Sequence, residues 1–584
     1  MNDHHNKDNR IDVAEHGLKK HNLGVWTVVF MIFCLCAAGC YGIEEMIPAC
    51  GPGLTMIILI ALPFVWSTPM GLVASEMGSA RPQEGGLYKW VQEALGEFWG
   101  FQASWWRNVS VYIDNTLYVI LAGGYVASQW NLSWGAETAV KLVMIFVFTY
   151  INIRGVKDVG IVSNVLSILV IVAFAMVAIC GFMNAQTDAF VPVTADTEIM
   201  GFRGIGAGDW IYYIGSGIAI AMWMYCGYDS MSTIAGEIKN PMVIPKATMI
   251  TVPLIMAAYI FPTWGALSAM DTGTVESILG SEAMKKAGAD FGWQMWGTEP
   301  GCIGYADVVT HYWGAGFGVF FVIVAVLAQC SIYNTYIASG SRGFFSLAED
   351  HLAPPILIKC DKKHGVPYIA VLSVGIVNII LCQFAFSTVV VVDMFMLMSA
   401  YILIFISALV LRKRIPESEY KFKTPGGYKT LVVVCAMPIT IAVIAYFING
   451  TDYFIGGAIG IISGPVMYII WKIRYGGLAK KDAVKYPVNP KTKLAVGDTR
   501  RLTVMFLILT VMCAIAVPWL RWFEGDWGEE YYLETYGSGF FSNFDAMLSA
   551  IWVAAVVFAV LTIILYIISR KVEPEKIKRA VSNN

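Results

Sequence analysis

Charge is what this chain has least of. Only 14% of its 584 residues are Asp, Glu, Lys or Arg, 57% are hydrophobic, and the mean hydropathy is +0.62. Soluble domains carry about 25% charged residues, so a single water-facing core is excluded. Metal-ligand spacing is missing too. Of the 12 cysteines, most (Cys34, Cys36, Cys180, Cys330, Cys382, Cys435, Cys513) lie inside apolar runs and read as small buried hydrophobes. No H-E-x-x-H, nucleophile elbow or phosphate loop occurs, so no enzyme is expected, and no cofactor, metal or nucleic-acid partner. No short apolar region with a cleavage site follows the polar residues 1–22, so the first crossing is expected to be retained.

What is present is a succession of apolar runs near membrane length. About 20 such residues span a hydrocarbon core of about 30 Å. Runs fall at about 23–49, 54–75, 98–130, 139–153, 159–182, 210–235, 247–270, 314–345, 366–386, 389–411, 431–448, 454–473, 502–520 and 546–568. They predict an all-α polytopic membrane protein with about fourteen transmembrane helices. Lys and Arg gather in alternate connections: Arg81 and Lys89; Arg154 and Lys157; Lys239 and Lys246; Lys359, Lys362 and Lys363; Arg412 to Arg414; Lys472 to Arg501; Arg570 to Arg579. The intervening ones hold chiefly Arg203, Lys285, Lys286 and Arg521. The positive-inside rule then puts both termini in the cytoplasm of a cell-membrane protein and requires an even count.

Two runs are interrupted at bilayer depth. The sixth holds Tyr225-Cys226-Gly227-Tyr228-Asp229, and the first holds Gly39-Cys40-Tyr41-Gly42-Ile43-Glu44-Glu45. A charge at that depth costs about 3 kcal/mol on insertion scales, so it needs a cavity, a partner or a bound cation. A helix breaks there only where the freed backbone lines a cavity or is buried in protein. The breaks lie five runs apart, as in a five-helix bundle repeated upside down, and paired interruptions of that kind point to a transporter's midplane site. A channel filter has no counterpart here. Asp229 as a cap of the resuming helix is the alternative to Asp229 as a ligand.

Four motifs in order carry a resemblance to the amino acid–polyamine–organocation transporter superfamily over roughly 24–475. They are Ser75-Glu76-Met77-Gly78 through Pro82-Gln83-Glu84-Gly85-Gly86-Leu87-Tyr88, Gly236-Glu237-Ile238-Lys239-Asn240-Pro241, Ser341-Arg342 through Ala348-Glu349-Asp350, and Leu411-Arg412-Lys413-Arg414-Ile415-Pro416 with Pro425-Gly426-Gly427. Gly42-Ile43-Glu44-Glu45, Ala94 through Gln102 and Ile113-Asp114-Asn115-Thr116-Leu117-Tyr118 are similar to stretches of its polyamine and amino-acid uptake carriers. The resemblance implies a leucine-transporter-type 5+5 inverted repeat and a secondary active transporter moving amines or amino acids by alternating access. On that plan 1–22 is a cytoplasmic N-terminal segment, 23–411 the ten-helix transport core and 412–475 helices 11 and 12. Residues 476–501 are a basic cytoplasmic linker, 502–569 two added helices and 570–584 a basic tail. A coupling proton or a counter-substrate is expected beside the amine and the lipid bilayer. A neutral amino-acid exchanger and a transporter-like amine sensor stand as alternatives, the sensor disfavoured because no basic-side segment is long enough for a signalling domain.

The expected substrate contacts are Gly39, Gly42, Ile43, Glu44, Glu45, Asn115, Trp223, Tyr225, Gly227, Tyr228, Asp229 and Tyr336. Each has a plainer reading. Glu44 and Glu45 point about 100° apart on a helix, so only one need face a ligand. Asn115 serves equally as an interhelical amide, and the aromatics as packing unless a cation sits on their faces. Asp393 reads as an outer-interface residue, and Glu76, Glu237 and Arg342 as ion-pairing residues at inner helix ends. Val170 stands where some proton-coupled members carry lysine. With Asp114 near the site and no intramembrane lysine, acid exceeds base. Arg107 is the basic residue placed well inside a crossing.

Overall fold

The computed structural model describes residues 24–36, 41–81, 86–154, 159–196, 207–228, 243–360, 366–525 and 527–572. Fourteen principal helices follow in order. They are α1 (Val25–Cys36), α2 (Pro52–Ala80), α3 (Glu97–Trp130), α4 (Trp134–Arg154), α5 (Val159–Met183), α6 (Ala207–Met224) and α7 (Val243–Ala269). Then come α8 (Ala315–Glu349), α9 (Tyr368–Leu381), α10 (Phe386–Arg414), α11 (Gly427–Ile448), α12 (Thr451–Tyr475), α13 (Asp498–Glu524) and α14 (Phe544–Val572). Eleven helices among the described residues are long and apolar enough to cross a membrane; α1, α6 and α9 are the shorter ones.

Burial orders the bundle. The most apolar stretches of α3 and α10 are each 83% buried and that of α14 only 17%, so α3 and α10 are central and α14 peripheral. An outward-facing apolar helix is what lipid contact allows. α13 and α14 pair with each other and reach the rest through α11 and α12. In α2, Pro63 has no N–H to give the Leu59 carbonyl, and a widened π-turn runs over Pro63–Ser67. The Tyr225 hydroxyl takes that carbonyl at 2.8 Å.

The Lys- and Arg-rich end of the bundle is tied by desolvated ion pairs. Arg412 Nη1 meets Glu76 Oε1 at 2.8 Å, and the Thr424 amide donates to Glu76 Oε2 at 2.7 Å. Lys472 meets Glu97 at 2.6 Å with both side chains buried. Asp350 joins Lys89 and Lys481, each at 2.7 Å. Glu76 is therefore the ion-pairing residue expected, and Glu237 lies outside the described residues. At the opposite end, residues 270–314 fold into short helices, and the Glu45 carboxylate accepts both the amide (2.8 Å) and hydroxyl (2.5 Å) of Thr298.

Candidate functional site

Two helix ends meet around a cavity. α1 is described as far as Cys36, and the description resumes at Tyr41, where the chain turns through Gly42 (φ +94°) into Ile43–Glu45 and the short helix Met46–Cys50. α6 stops at Met224, and Gly227 (φ +96°) sits in the non-helical stretch that follows. Both glycines hold a backbone conformation that other L-residues rarely adopt. A Cβ on Gly42 would also lie 3.0 Å from the Phe386 ring. The hydroxyl of Tyr259, on α7, donates to the Met224 carbonyl at 2.9 Å and lies 3.3 Å from the Cys36 carbonyl. One side chain thus reaches a carbonyl of each segment, and that of Met224 is one of the groups the end of α6 leaves without an intrahelical partner.

Between these ends lies a cavity of about 270 Å³ of empty space, lined among others by Tyr41, Tyr118, Trp223, Met224, Tyr259 and Gln329. A water-sized sphere can move within only about 20 Å³ of it, room for about one water, so a substrate enters only if the lining rings move apart. Trp223 and Tyr336 flank the Tyr118 ring, with centroids at 5.7 and 5.4 Å. Their polar edges converge on one carboxylate. Trp223 Nε1 donates to Asp114 Oδ1 at 2.7 Å, and the Tyr118 and Tyr336 hydroxyls also hydrogen-bond Asp114. The result is a small box with π faces toward the cavity and an acid behind them. Gln329 is 1% exposed, and neither end of its amide has a hydrogen-bond partner among the described residues. It is an open donor and acceptor on the cavity wall.

Of the residues expected from sequence, Trp223 and Tyr336 join this box. Tyr228 is buried near Cys36 and Ser67. Tyr225 braces α2 through Leu59, and Gly42 and Gly227 supply the breaks. Ile43 is buried. Glu44 turns away from Asp114: its Oε1 accepts the Tyr125 hydroxyl at 2.6 Å and its Oε2 the Gly42 amide at 2.9 Å. Glu45 holds Thr298. Asn115 faces α9, donating to Asn378 Oδ1 at 3.3 Å within a network that includes Thr116 and Tyr333. Adjacent helical residues diverge by about 100°, so Asp114 and Asn115 cannot both face the cavity. Gly39 and Asp229 lie outside the described residues.

Three residues of the site escaped sequence reading. Tyr118 falls one turn past Asp114 on the same face of α3, a spacing that was legible. Tyr259 and Gln329 sit in apolar runs with no neighbouring signal. Asp393 requires a correction. It is 0% exposed in the core of α10, facing Asp114 and Arg107 of α3, and is not an interface residue.

A bundle of membrane-length helices with paired interruptions around an aromatic-lined cavity is the architecture of a solute carrier. Comparison with known proteins gives the family. The amino acid permease profile matches residues 23–471. The chain belongs to that family, within the amino acid–polyamine–organocation superfamily, and is a membrane transporter rather than an enzyme. It is 29% identical over 430 residues to the polyamine transporter RMV1 of Arabidopsis thaliana, covering 73% of this chain and 80% of that one. It is 25% identical over 472 residues to the polyamine transporter PUT1 of Oryza sativa subsp. japonica, covering 79% and 80%. It is 24% identical over 413 residues to the serine/threonine exchanger SteT of Bacillus subtilis (strain 168), covering 68% and 84%.

Proposed function

We propose that this transporter is a secondary active carrier that moves amines, cationic ones in preference, by alternating access around the cavity between the two helix breaks. In this reading the first ten helices form a 5+5 inverted repeat, fourteen helices cross the membrane, and the Lys- and Arg-rich end is cytoplasmic. The observation that carries it is Asp114, a buried carboxylate held behind the rings of Trp223, Tyr118 and Tyr336. A primary ammonium suits such a box, because ring faces attract cations and desolvation strengthens that attraction. Asp229 is a second anionic contact in this proposal. The polyamine transporters among the relatives support the substrate class.

A neutral amino-acid exchanger is the second reading, and SteT supports it. Such a carrier offers bare glycine amides to the substrate carboxylate. Here the Glu44 carboxylate already occupies the Gly42 amide at 2.9 Å. A zwitterion would have to displace an anion to bind there, which favours the amine. The test is uptake into proteoliposomes from a panel of labelled amines and amino acids, with and without a pH gradient. Saturable uptake of putrescine, inhibited poorly by leucine, is expected. Uptake of leucine alone would hand the site to the second reading.

A further inference from the structure

Behind the aromatic box, Asp114 belongs to a second polar group whose other members, Arg107, Ser110 and Asp393, substrate binding does not use. Arg107, Ser110 and Asp114 are spaced three and four residues apart, so α3 presents them on one face. Asp393 of α10 meets that face. Its side chain is fully buried, and the polar group of α3 beside it is the Ser110 hydroxyl. That hydroxyl is itself fully buried and is the one neutral donor addressed to Asp393. Asp114 differs, because the indole N–H of Trp223 satisfies it. The charges acting on Asp393 are the carboxylate of Asp114 and the guanidinium of Arg107. Two acids against one base leave one negative charge in excess.

The other elements packed on α10 do not offset it. α11 meets α10 through Tyr446, bonded to Ser399 at 2.7 Å, and α12 through Tyr453, against Thr388. Glu76 of α2 is paired with Arg412 at the far end of α10. The helix Gly86–Leu95 meets α10 through the Ala94 carbonyl, which takes Arg414, and α6 brings the Trp223 indole. A desolvated carboxylate whose charge is uncompensated is unstable unless something cationic joins it, and one neutral hydroxyl does not compensate it. A transition-metal ion is a poor candidate, since no set of three His, Cys, Asp or Glu ligands exists among the described residues. An ammonium is poor as well, because the cavity wall ends at Trp223 and Tyr118. A proton fits.

We propose that Asp393, facing Asp114, is the proton-binding site that couples transport to a pH gradient. The inference rests on the carrier reading above. One carboxylate oxygen of Asp393 takes a proton from the solution on one side, and the same proton leaves to water on the other. No electron moves. Asp114 links the two sites, because it is the substrate box's acid on one face and the like charge next to Asp393 on the other.

The experiment uses the full-length protein in proteoliposomes with a trapped pH-reporting dye and labelled putrescine. One proton moving down a gradient of one pH unit supports about tenfold accumulation, so wild type should concentrate putrescine to about that extent while the dye reports proton movement. Asp393→Asn should abolish both signals and still exchange labelled for unlabelled putrescine. If Asp393→Asn also stops exchange, Asp393→Glu decides, and recovery of gradient-driven accumulation together with exchange is the expected result. Wild type that carries no proton, or an exchanging Asp393 variant without a carboxyl that still answers the gradient, overturns the proposal. Wild type that exchanges neither putrescine nor leucine would instead remove the carrier reading beneath it.

Discussion

The indole N–H of Trp223 lies 2.7 Å from a carboxylate oxygen of Asp114, joining the last turn of α6 to the middle of α3. This bond turns the Trp223 ring into a wall of the cavity and places an acid directly behind it. Asp114→Asn keeps the shape and removes the charge. Loss of one partner from a buried charge pair costs about 3–5 kcal/mol, a few hundredfold or more in affinity. Competition binding should show that loss for putrescine and a much smaller one for leucine. Equal losses for both would contradict the cation box.

Arg412 and Glu76 test the basic end. Their side chains are 10% and 0% exposed. Arg412→Ala leaves a buried carboxylate answered by the Thr424 amide alone and should destabilise the protein by about 3–5 kcal/mol, read as a fall in unfolding temperature in detergent. The double variant Glu76→Met, Arg412→Met should recover most of that loss, because it removes both desolvated charges. A double variant as unstable as Arg412→Ala would mean that the pair itself stabilises the fold.

Thr298 gives two hydrogen bonds to Glu45 and pins the 270–314 connection over the first helix break. Thr298→Val removes the hydroxyl, whose bond to a charged acceptor contributes about 1.5–3 kcal/mol. Cys302, partly buried in the same turn, should then react faster with an impermeant maleimide applied to intact cells. Labelling that needs permeabilised cells would reverse the proposed orientation.

Asp350 sets a pH dependence. Burial raises its carboxyl, but Lys89 and Lys481, with the Tyr88 hydroxyl, outweigh burial and hold it below the usual carboxylate range. A depressed acid contributes stability that is present above its unfolded value, about 3.9, and lost as pH falls through the lower folded value. The stability difference between wild type and Asp350→Asn should therefore be level from neutral pH down to about 5 and shrink below about 4. A difference that instead grew on acidification would refute this role.

The order of the helices and the two breaks were legible because bilayer thickness dictates run length and because glycines beside carboxylates are rare at that depth. Side-chain direction was not. Position near a break makes Glu44, Glu45 and Asn115 candidate ligands in sequence, and the structure adds the protein partner that each one holds. Asp114 is adjacent to Asn115, and only the rotation of α3 separates their roles. Asp393 was misread because two turns from a helix end looks like an interface in sequence. Its burial comes from α3 and α10 crossing there, a long-range packing fact that no local pattern records.

The last two helices are fastened at both ends. Thr451 at the start of α12 donates to Glu524 at the end of α13 at 2.6 Å, and Tyr468 donates to Asp498 near the other end. α12 is in turn joined to α3 through Lys472 and Glu97. A helix that is mostly lipid-facing tilts when the bilayer is thinner or thicker than its apolar length. α14 packs along α13, and these joints tie α13 through α12 to α3, so a changed tilt of α14 is expected to reach α3. Lipid thickness is then a mechanical input to the helix that carries Asp114, and carriers reconstituted in short- and long-chain lipids need not share one turnover rate.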